Sequence, residues 1–305
     1  MKKILIIANP GSGKGDAPEY AKTLEEVLLT NYEVELEIRL TEKEGDANHW
    51  AKAAKQEGYD TVICLGGDGT VNEVVSGIAE LDDKPLFSFV PLGTVNDLGR
   101  VVGFSMDPDE AIQQFAHLDE TKVDIARVNN QYFINVLALG DIPTAVLETD
   151  SDQKNKLGFF AYLIDGVKAF FGGKNKNLRI YDSQGRHYDL ASNLILVALT
   201  SSVGGMEGLI QGATYNDGMA HLYAIKDSMT LSSIQTFLQE KGLPDEIVDN
   251  DHLLSLRDSA FRIESVDGHS TKELKSNVDG DEGPALPLEI EILKECIPML
   301  IPRKA

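Results

Sequence analysis

Three apolar runs in the first hundred residues each end in glycine: "KILIIANPGSGKG" from Lys3, "DTVICLGGDGT" from Asp60 and "PLFSFVPLGT" from Pro85. Runs that are apolar throughout, rather than alternating, are expected of strands covered on both faces in a parallel sheet. Helical stretches separate them. Asp16 reads as an N-cap with Pro18 in the first turn, opening a helix to about Thr30. "YEVELEIRL" alternates strictly and reads as a strand, and "GDANHWAKAAKQEG" reads as a helix ended by Gly58. A helix is expected from Val71 to about Glu80, and another in "DPDEAIQQFAHL", with Asp107 and Pro108 at its start. This β-α alternation predicts an α/β fold with a doubly wound, mainly parallel sheet.

Beyond about Thr121 the texture changes. "KVDIARVNNQYFINVLAL" is two alternating runs joined by Asn129-Asn130, a hairpin signal. "LRIYDSQGRHYDL", "NLILVALT", "MAHLYAIK" and "SAFRIESV" read as further strands, interrupted by helical stretches at Leu157–Phe171 and Leu231–Lys241. The expected division is an N-terminal α/β domain over 1–124, an antiparallel β-sandwich over 125–295, and a C-terminal segment over 296–305. With 42% hydrophobic residues among 305, both domains can hold real cores.

The net charge is −21, from 28 basic and 49 acidic residues, which argues against a nucleic-acid partner. Between Gln153 and Arg186, however, stand seven basic and two acidic residues (Lys154, Lys156, Lys168, Lys174, Lys176, Arg179, Arg186 against Asp165, Asp182). The segment "KNKLGFFAYLIDGVKAFFGGKNK" joins four phenylalanines to flanking lysines. It suits docking on anionic lipid, and equally a core helix with a solvated basic fringe. The two cysteines, Cys64 and Cys296, point to a reducing cytoplasm. The N-terminal apolar run stops at Ala8, too short for a signal peptide or a membrane span. The six histidines are scattered, without metal-ligand spacing.

The first glycine stretch is not a Walker A loop: five residues before Gly13 stands Ala8, and Lys14 is followed by Gly15. As a strand, glycine turn and helix start, it still offers free N–H groups to an anion, although an ordinary turn explains it as well. "LGGDGTVNEVV" (Leu65–Val75) says more. Gly66, Gly67 and Gly69 permit close approach of phosphates, while Asp68 inside an anion-accepting turn calls for a bridging divalent cation. Thr70 would cap the helix or donate to a phosphate oxygen. "VPLGTVNDLGR" (Val90–Arg100) supplies the third loop. In a doubly wound sheet such loops face one crevice at the carboxyl ends of the strands, which predicts a polyphosphate site.

"NPGSGKG", "GGDGTVNE" and "PLGTVND" together resemble the diacylglycerol kinase catalytic domain, and more narrowly the bacterial soluble lipid kinases. Gly-Gly-Asp-Gly-Thr by itself is shared with NAD kinases and phosphofructokinases; Asn72-Glu73 and the Gly93-Thr94-x-Asn96-Asp97 block favour the lipid-kinase branch. "SSVGGMEGLIQGATYNDGMAHLYAIK" and "NVDGDEG" (Asn277–Gly283) extend the likeness over essentially the whole chain.

The resemblance implies an NAD-kinase- or phosphofructokinase-like first domain that binds ATP and Mg²⁺. It implies a sandwich on the lipid side and a C-terminal strand, around Ile297–Pro302, returning to the first domain. Asn9, Pro10, Gly11, Ser12, Gly13, Thr41, Gly66, Gly67, Asp68, Gly69, Thr70, Asn72, Glu73, Gly93, Thr94 and Asn96 match positions around the nucleotide. Asp68 would act through a water-bridged Mg²⁺ network. Asp217, with carbonyls near Thr214 and Met219, resembles a structural Mg²⁺ site. Asp279 would be the general base, with Asp281 its rival; the family usually carries Glu where Asp281 stands. The implied reaction moves the ATP γ-phosphoryl group to the primary hydroxyl of a diacylglycerol-like membrane lipid, giving phosphatidic acid. Another lipid alcohol, sphingoid or glycerolipid, and a regulatory nucleotide binder without turnover remain alternatives. The implied location is cytoplasmic and peripheral at the inner membrane face, with transient membrane contact; a homodimer is compatible with it.

Overall fold

The computed structural model describes residues 1–140, 176–226, 243–244, 246–266 and 275–303. The expected helices at 157–171 and 231–241, and Lys154, Lys156, Lys168 and Lys174, lie outside the described residues. The chain divides into two compact units, Met1–Asp124 with Glu295–Ala305, and Ile125–Lys294.

The first unit is a parallel sheet. Strands β1 (Lys3–Ala8), β2 (Glu35–Leu40), β3 (Thr61–Gly66) and β4 (Leu86–Pro91) lie in the order β2-β1-β3-β4. The far end of a long final strand, β16 (Leu288–Pro302), joins beyond β4, with Met299 opposite Phe87 in parallel. Ile4 to Ala8 are all fully buried. Helices on both faces achieve this, and each buried Ile or Leu contributes roughly 1.5–3 kcal/mol. Helix α1 (Ala17–Asn31) turns Ala21, Leu24 and Leu28 inward at the helical period. The other helices are α2 (Asp46–Ala53), α3 (Asp68–Ala79), α4 (Asp97–Val102) and α5 (Pro108–Gln114). Phe87, Phe89, Phe104 and Phe115 form a file of rings at centroid spacings of 5.9, 5.3 and 5.6 Å, tying β4 to α5.

The local readings hold with instructive shifts. Asp107 caps α5, its carboxylate accepting the Glu110 N–H at 3.1 Å. Asp16 stands at the α1 N-cap, but its side chain makes no cap bond; only its carbonyl receives the Tyr20 N–H. Helix α3 begins at Asp68, three residues before the expected Val71, because extended Gly67 is the residue that caps it. Helix α4 is unexpected, since Gly99 in its middle weakens the signal.

The second unit is antiparallel and built from hairpins. β5 (Leu118–Val128) turns through Asn129-Asn130 into β6 (Gln131–Phe133), and β7 (Val136–Gly140) follows. β8 (Lys176–Asp182), β9 (His187–Ala198), β10 (Ala220–Lys226), β11 (Val248–Asp249), β12 (Leu253–Asp258) and β13 (Ala260–Ser265) run in the order β11-β12-β10-β9-β8-β13-β16. Long β9 also pairs its far half with β7. β7 in turn pairs with β14 (Lys275–Val278), whose hairpin partner is β15 (Asp281–Ala285). A main core in this unit includes Phe133, Leu137, Ile195, Val197, Leu222, Phe261 and Ile290, and a second cluster gathers Val203, Leu209, Ile210, Tyr223 and Leu253.

In the first unit the buried Ser88 hydroxyl donates to the Leu300 carbonyl at 2.9 Å, fixing β16 beside β4. Ser88→Ala removes that donor; the expected loss of about 1–2 kcal/mol is read by urea unfolding, and an unchanged midpoint would show that the bond carries no weight.

Candidate active site

The glycine loops of the first unit follow β1, β3 and β4 at their carboxyl ends, and hydrogen bonds join them into one cradle. Asn9, just past β1, donates its backbone N–H to Leu65 O (3.0 Å) and its Nδ2 to Thr70 Oγ1 (3.1 Å), while Oδ1 accepts the Gly11 N–H (2.9 Å). One asparagine thus shapes its own loop and reaches the first turn of α3. The Ser12 N–H returns to Asn9 O, and the Gly13 N–H crosses to Leu92 O. Gly13 and Lys14 both lie in the left-handed region, and Lys14 is exposed. Thr41, just past β2, donates its N–H to Ala8 O, placing it at the same end of the sheet. Pro10 is half-buried and Thr94 exposed on the cradle's loops.

The loops after β3 and β4 meet with no side chain between them. A Cβ on Gly93 would stand 2.8 Å from the Gly67 Cα and 2.6 Å from Asn96 Oδ1; one on Gly66 would stand 2.6 Å from the Thr70 Cβ. Only glycine fits, so the spacing of these glycines is a packing requirement as well as a phosphate-access one. Asn96 closes the second loop on itself, accepting the Gly93 N–H on Oδ1 and donating Nδ2 to Gly93 O.

Asp68 then ties the two helix starts together. Its Oδ2 accepts the Asn96 N–H at 2.9 Å and its Oδ1 the Asp97 N–H at 3.2 Å. Burial pushes the Asp68 carboxyl above its ordinary range, the neighbouring Asp97 pushes it further, and the amide donors pull it back. Asp97, only 3% exposed, belongs to the Gly93-Thr94-x-Asn96-Asp97 block and joins Asp68 at the cradle, a place the motif alone did not assign to it. Two carboxylates crowded into a glycine cradle suit a divalent cation, which would relieve both desolvation and mutual repulsion. On α3, Glu73 Oε2 accepts the Gly45 N–H at 3.0 Å, and Asn72 Oδ1 accepts the Ser76 hydroxyl. Gly69 is exposed in the first turn of α3. Cys64 is buried in β3, and burial pushes its thiol up, so it is packing.

The second unit carries the other acids. β14 and β15 are joined by Asp279 (φ 50°) and Gly280 (φ 105°), a two-residue turn with both φ positive. The Asp279 carboxylate leaves the turn to bind three consecutive amides: Ile134 N–H on Oδ2 at 2.7 Å, and Asn135 and Val136 N–H on Oδ1 at 3.0 and 2.8 Å. Its own N–H donates to Val136 O. The late acidic motif is therefore clamped to the loop between β6 and β7, a partnership across more than 140 residues that no local pattern announces. Asp281 begins β15 and is exposed.

Asp217 accepts the Met219 N–H on Oδ1 and pairs through Oδ2 with Arg257 Nη2 at 3.1 Å. Thr214 is exposed nearby in sequence. Among the described residues no group of three or more acid, His or Cys side chains gathers as a metal centre. Two of the basic residues in the 153–186 stretch are neutralised, Arg179 by Asp189 and Arg186 by Asp182, each at 2.6 Å. Among the described residues no helix is long and apolar enough to cross a membrane.

Glycine loops at the carboxyl ends of parallel strands, joined beside half-buried Asp68 and buried Asp97, are an arrangement suited to a polyphosphate. Comparison with known proteins narrows this. The family model of the diacylglycerol kinase catalytic domain matches residues 3–128. A diacylglycerol kinase of Staphylococcus haemolyticus is 36% identical over 98% of this chain and 88% of its own length. The crystal structure of a diacylglycerol kinase from Bacillus anthracis superposes with a TM-score of 0.76 over 98% of this chain and 97% of that one, at 24% identity. An NAD kinase from Archaeoglobus fulgidus, solved with ATP, shares the fold at a TM-score of 0.50 and 12% identity, over 99% of this chain and 93% of its own. The chain belongs to the diacylglycerol kinase catalytic-domain family, and with it to the lipid kinases.

Two outcomes test the cradle. Gly93→Ala should cost about 1–3 kcal/mol of local strain and weaken ATP binding by titration calorimetry, with circular dichroism unchanged; wild-type affinity would refute the close approach. In EDTA, wild-type thermal stability should fall as pH rises from the ordinary aspartate range near about 4 towards 7. The reason is that the folded chain, with the raised Asp68, holds a proton that the unfolded chain has lost. Asp68→Asn should flatten that slope, and equal slopes would remove Asp68 as its source.

Proposed function

We propose that the chain transfers the γ-phosphoryl group of ATP to the primary hydroxyl of diacylglycerol, forming phosphatidic acid with Mg²⁺ as cofactor. The observation that carries this reading is the joined glycine cradle with half-buried Asp68 and buried Asp97 at its edge. The diacylglycerol kinase name of the full-length relative supplies the substrate. The glycine loops around Gly11–Gly13 and Gly67, braced by the Asn9 and Thr70 side chains, shape the site for the polyphosphate. Mg²⁺, held through Asp68 and Asp97, supplies neutralisation of phosphate charge. A second, structural Mg²⁺ is proposed at Asp217 with the carbonyls of Thr214 and Met219, taking over the carboxylate from Arg257.

In-line transfer needs an oriented alcohol and a proton acceptor more than covalent help. Asp279 is assigned as the acceptor, because three amides fix the direction of its carboxylate. Asp281, at the start of β15, is the rival assignment. The lipid is taken from a membrane surface by transient peripheral contact.

Labelled ATP offered with dispersed diacylglycerol, sphingoid bases and NAD tests the reading. Label should enter phosphatidic acid, only with Mg²⁺. Asp279→Asn should cut kcat by about 10²-fold or more, whereas Asp281→Asn should be milder. ATP binding without label in any lipid would mean a nucleotide-binding regulator, and the reverse order of the two variants would move the base to Asp281. The membrane step is read by co-sedimentation with anionic vesicles, which should drop when Lys154, Lys156, Lys174 and Lys176 are changed to Glu.

A further inference from the structure

Helix α2 is not capped by the residue at its own start. That residue is Gly45, in the left-handed region at φ 86° and without a side chain, where helices ordinarily carry serine, threonine, aspartate or asparagine. Asp46, which follows, turns its carboxylate back onto the Glu42 and Lys43 N–H groups at 2.9 and 3.0 Å. The cap comes from another helix. Half-buried Glu73, in the second turn of α3, accepts the Gly45 N–H on Oε2 at 3.0 Å, and its main-chain carbonyl accepts Asn48 Nδ2 at 3.0 Å. Burial pushes the Glu73 carboxyl up, while the amides of Gly45, Asn48 and Ala47 pull it back, as they do for a carboxylate seated on the first turn of a helix. A cap from α3 does what a local one cannot. It ties the loop between β2 and α2 to the helix whose first turn builds the cradle through Asp68 and Thr70. Gly77 keeps the two helices close, since a Cβ there would stand 2.5 Å from Asn48 O.

The loop so held, Thr41 to Gly45, lies at the same carboxyl ends as the glycine loops, because the Thr41 N–H donates to Ala8 O at the end of β1. With the strands in the order β2-β1-β3-β4, the winding changes direction between β1 and β3, where Asn9 meets Leu65 and Thr70, and ligands of doubly wound sheets bind at that point. The β2 loop flanks it on the outer side of β1 and differs chemically from the glycine loops. Its Glu42, Lys43 and Gly45 amides are already held by carboxylates, and Glu42, Glu44, Asp46 and Glu73 outnumber Lys43. A triphosphate is repelled by such a loop, whereas the uncharged end of ATP is not. Glu42 to Gly45 are exposed and open to a ligand from solvent. We propose that Glu73 is a positioning residue for the nucleoside of ATP, setting the Thr41–Gly45 loop beside the cradle so that the sugar and base rest on it. The proposal rests on the reading of the chain as an ATP-dependent kinase, and adds which segment receives the nucleoside and what holds that segment in place.

The test measures binding of ATP and of inorganic tripolyphosphate, which has the phosphates without the nucleoside, each with Mg²⁺, to the full-length chain. Wild type should bind ATP the more tightly. Glu73→Ala should weaken ATP by about tenfold or more, the loss expected for a hydrogen bond to a charged group. Its tripolyphosphate affinity should be unchanged, its KM for ATP raised and its kcat close to wild type. Glu73→Gln keeps an acceptor for the Gly45 N–H and should recover most of the ATP affinity. Hydrogen exchange without nucleotide should show residues 42–45 losing protection in Glu73→Ala and keeping it in Glu73→Gln. Asp107→Ala, which removes the local cap of α5, is the structural control: its Tm should fall, with the ratio of ATP to tripolyphosphate affinity untouched. The proposal is overturned if wild type binds ATP no better than tripolyphosphate, if Glu73→Ala binds ATP as wild type does, or if it loses both ligands equally. Weakened ATP with exchange unchanged over 42–45 also overturns it, since Glu73 would then touch the nucleotide itself. A wild type that binds no ATP brings down the kinase reading and this assignment with it. Transfer of label from ATP to a lipid, alongside any of the other overturning results, sinks the assignment alone.

Discussion

The backbone contact between Gly67 and Gly93 is the constraint on which the glycine cradle of the first unit depends. Two strand-to-helix loops lie so close that a single methyl group on either would stand against the other's main chain. Because they touch, the starts of α3 and α4 are neighbours, and one carboxylate, Asp68, can accept an N–H from the second helix while belonging to the first. The same closeness brings Asp97 beside it and creates the electrostatic tension that raises the Asp68 carboxyl. Packing, helix placement and charge are here one feature seen at three scales.

The two units solve their positioning problems in different ways. In the first, main-chain bonds between loops hold the strand ends together, and side chains such as Asn9 and Asn96 brace them. In the second, a long-range side chain does it: Asp279 reaches from a tight turn to three amides of a loop far away in sequence. Loops braced by glycine conformation tolerate little substitution, whereas a loop held by one carboxylate depends on one residue.

Much of this was legible in the chain. Continuous apolar runs gave parallel strands, and alternating runs with Asn-Asn or Gly turns gave antiparallel ones, because burial on two faces or one dictates the pattern. The three glycine motifs marked the loops that join in the cradle, "NVDGDEG" marked the late acidic turn, and likeness to known kinases places the chain in a family. What stayed hidden was relational. No period or spacing says that the Asp97 N–H meets Asp68, that Glu73 holds the Gly45 N–H, or that Asp217 finds Arg257. Those outcomes depend on which helix faces meet.

Strand β16 has a temporal consequence. Its first residues pair with β13, and its last run beside β4 in a sheet whose other four strands were all complete by residue 91. The parallel sheet therefore waits, one edge open, while some two hundred further residues are synthesised, and it closes only once Met299 has left the ribosome. Until then β4 carries an unpaired, apolar edge of the kind that recruits other strands. For this fold the strands of the second unit are synthesised in the interval between the first four strands of the parallel sheet and the strand that closes it.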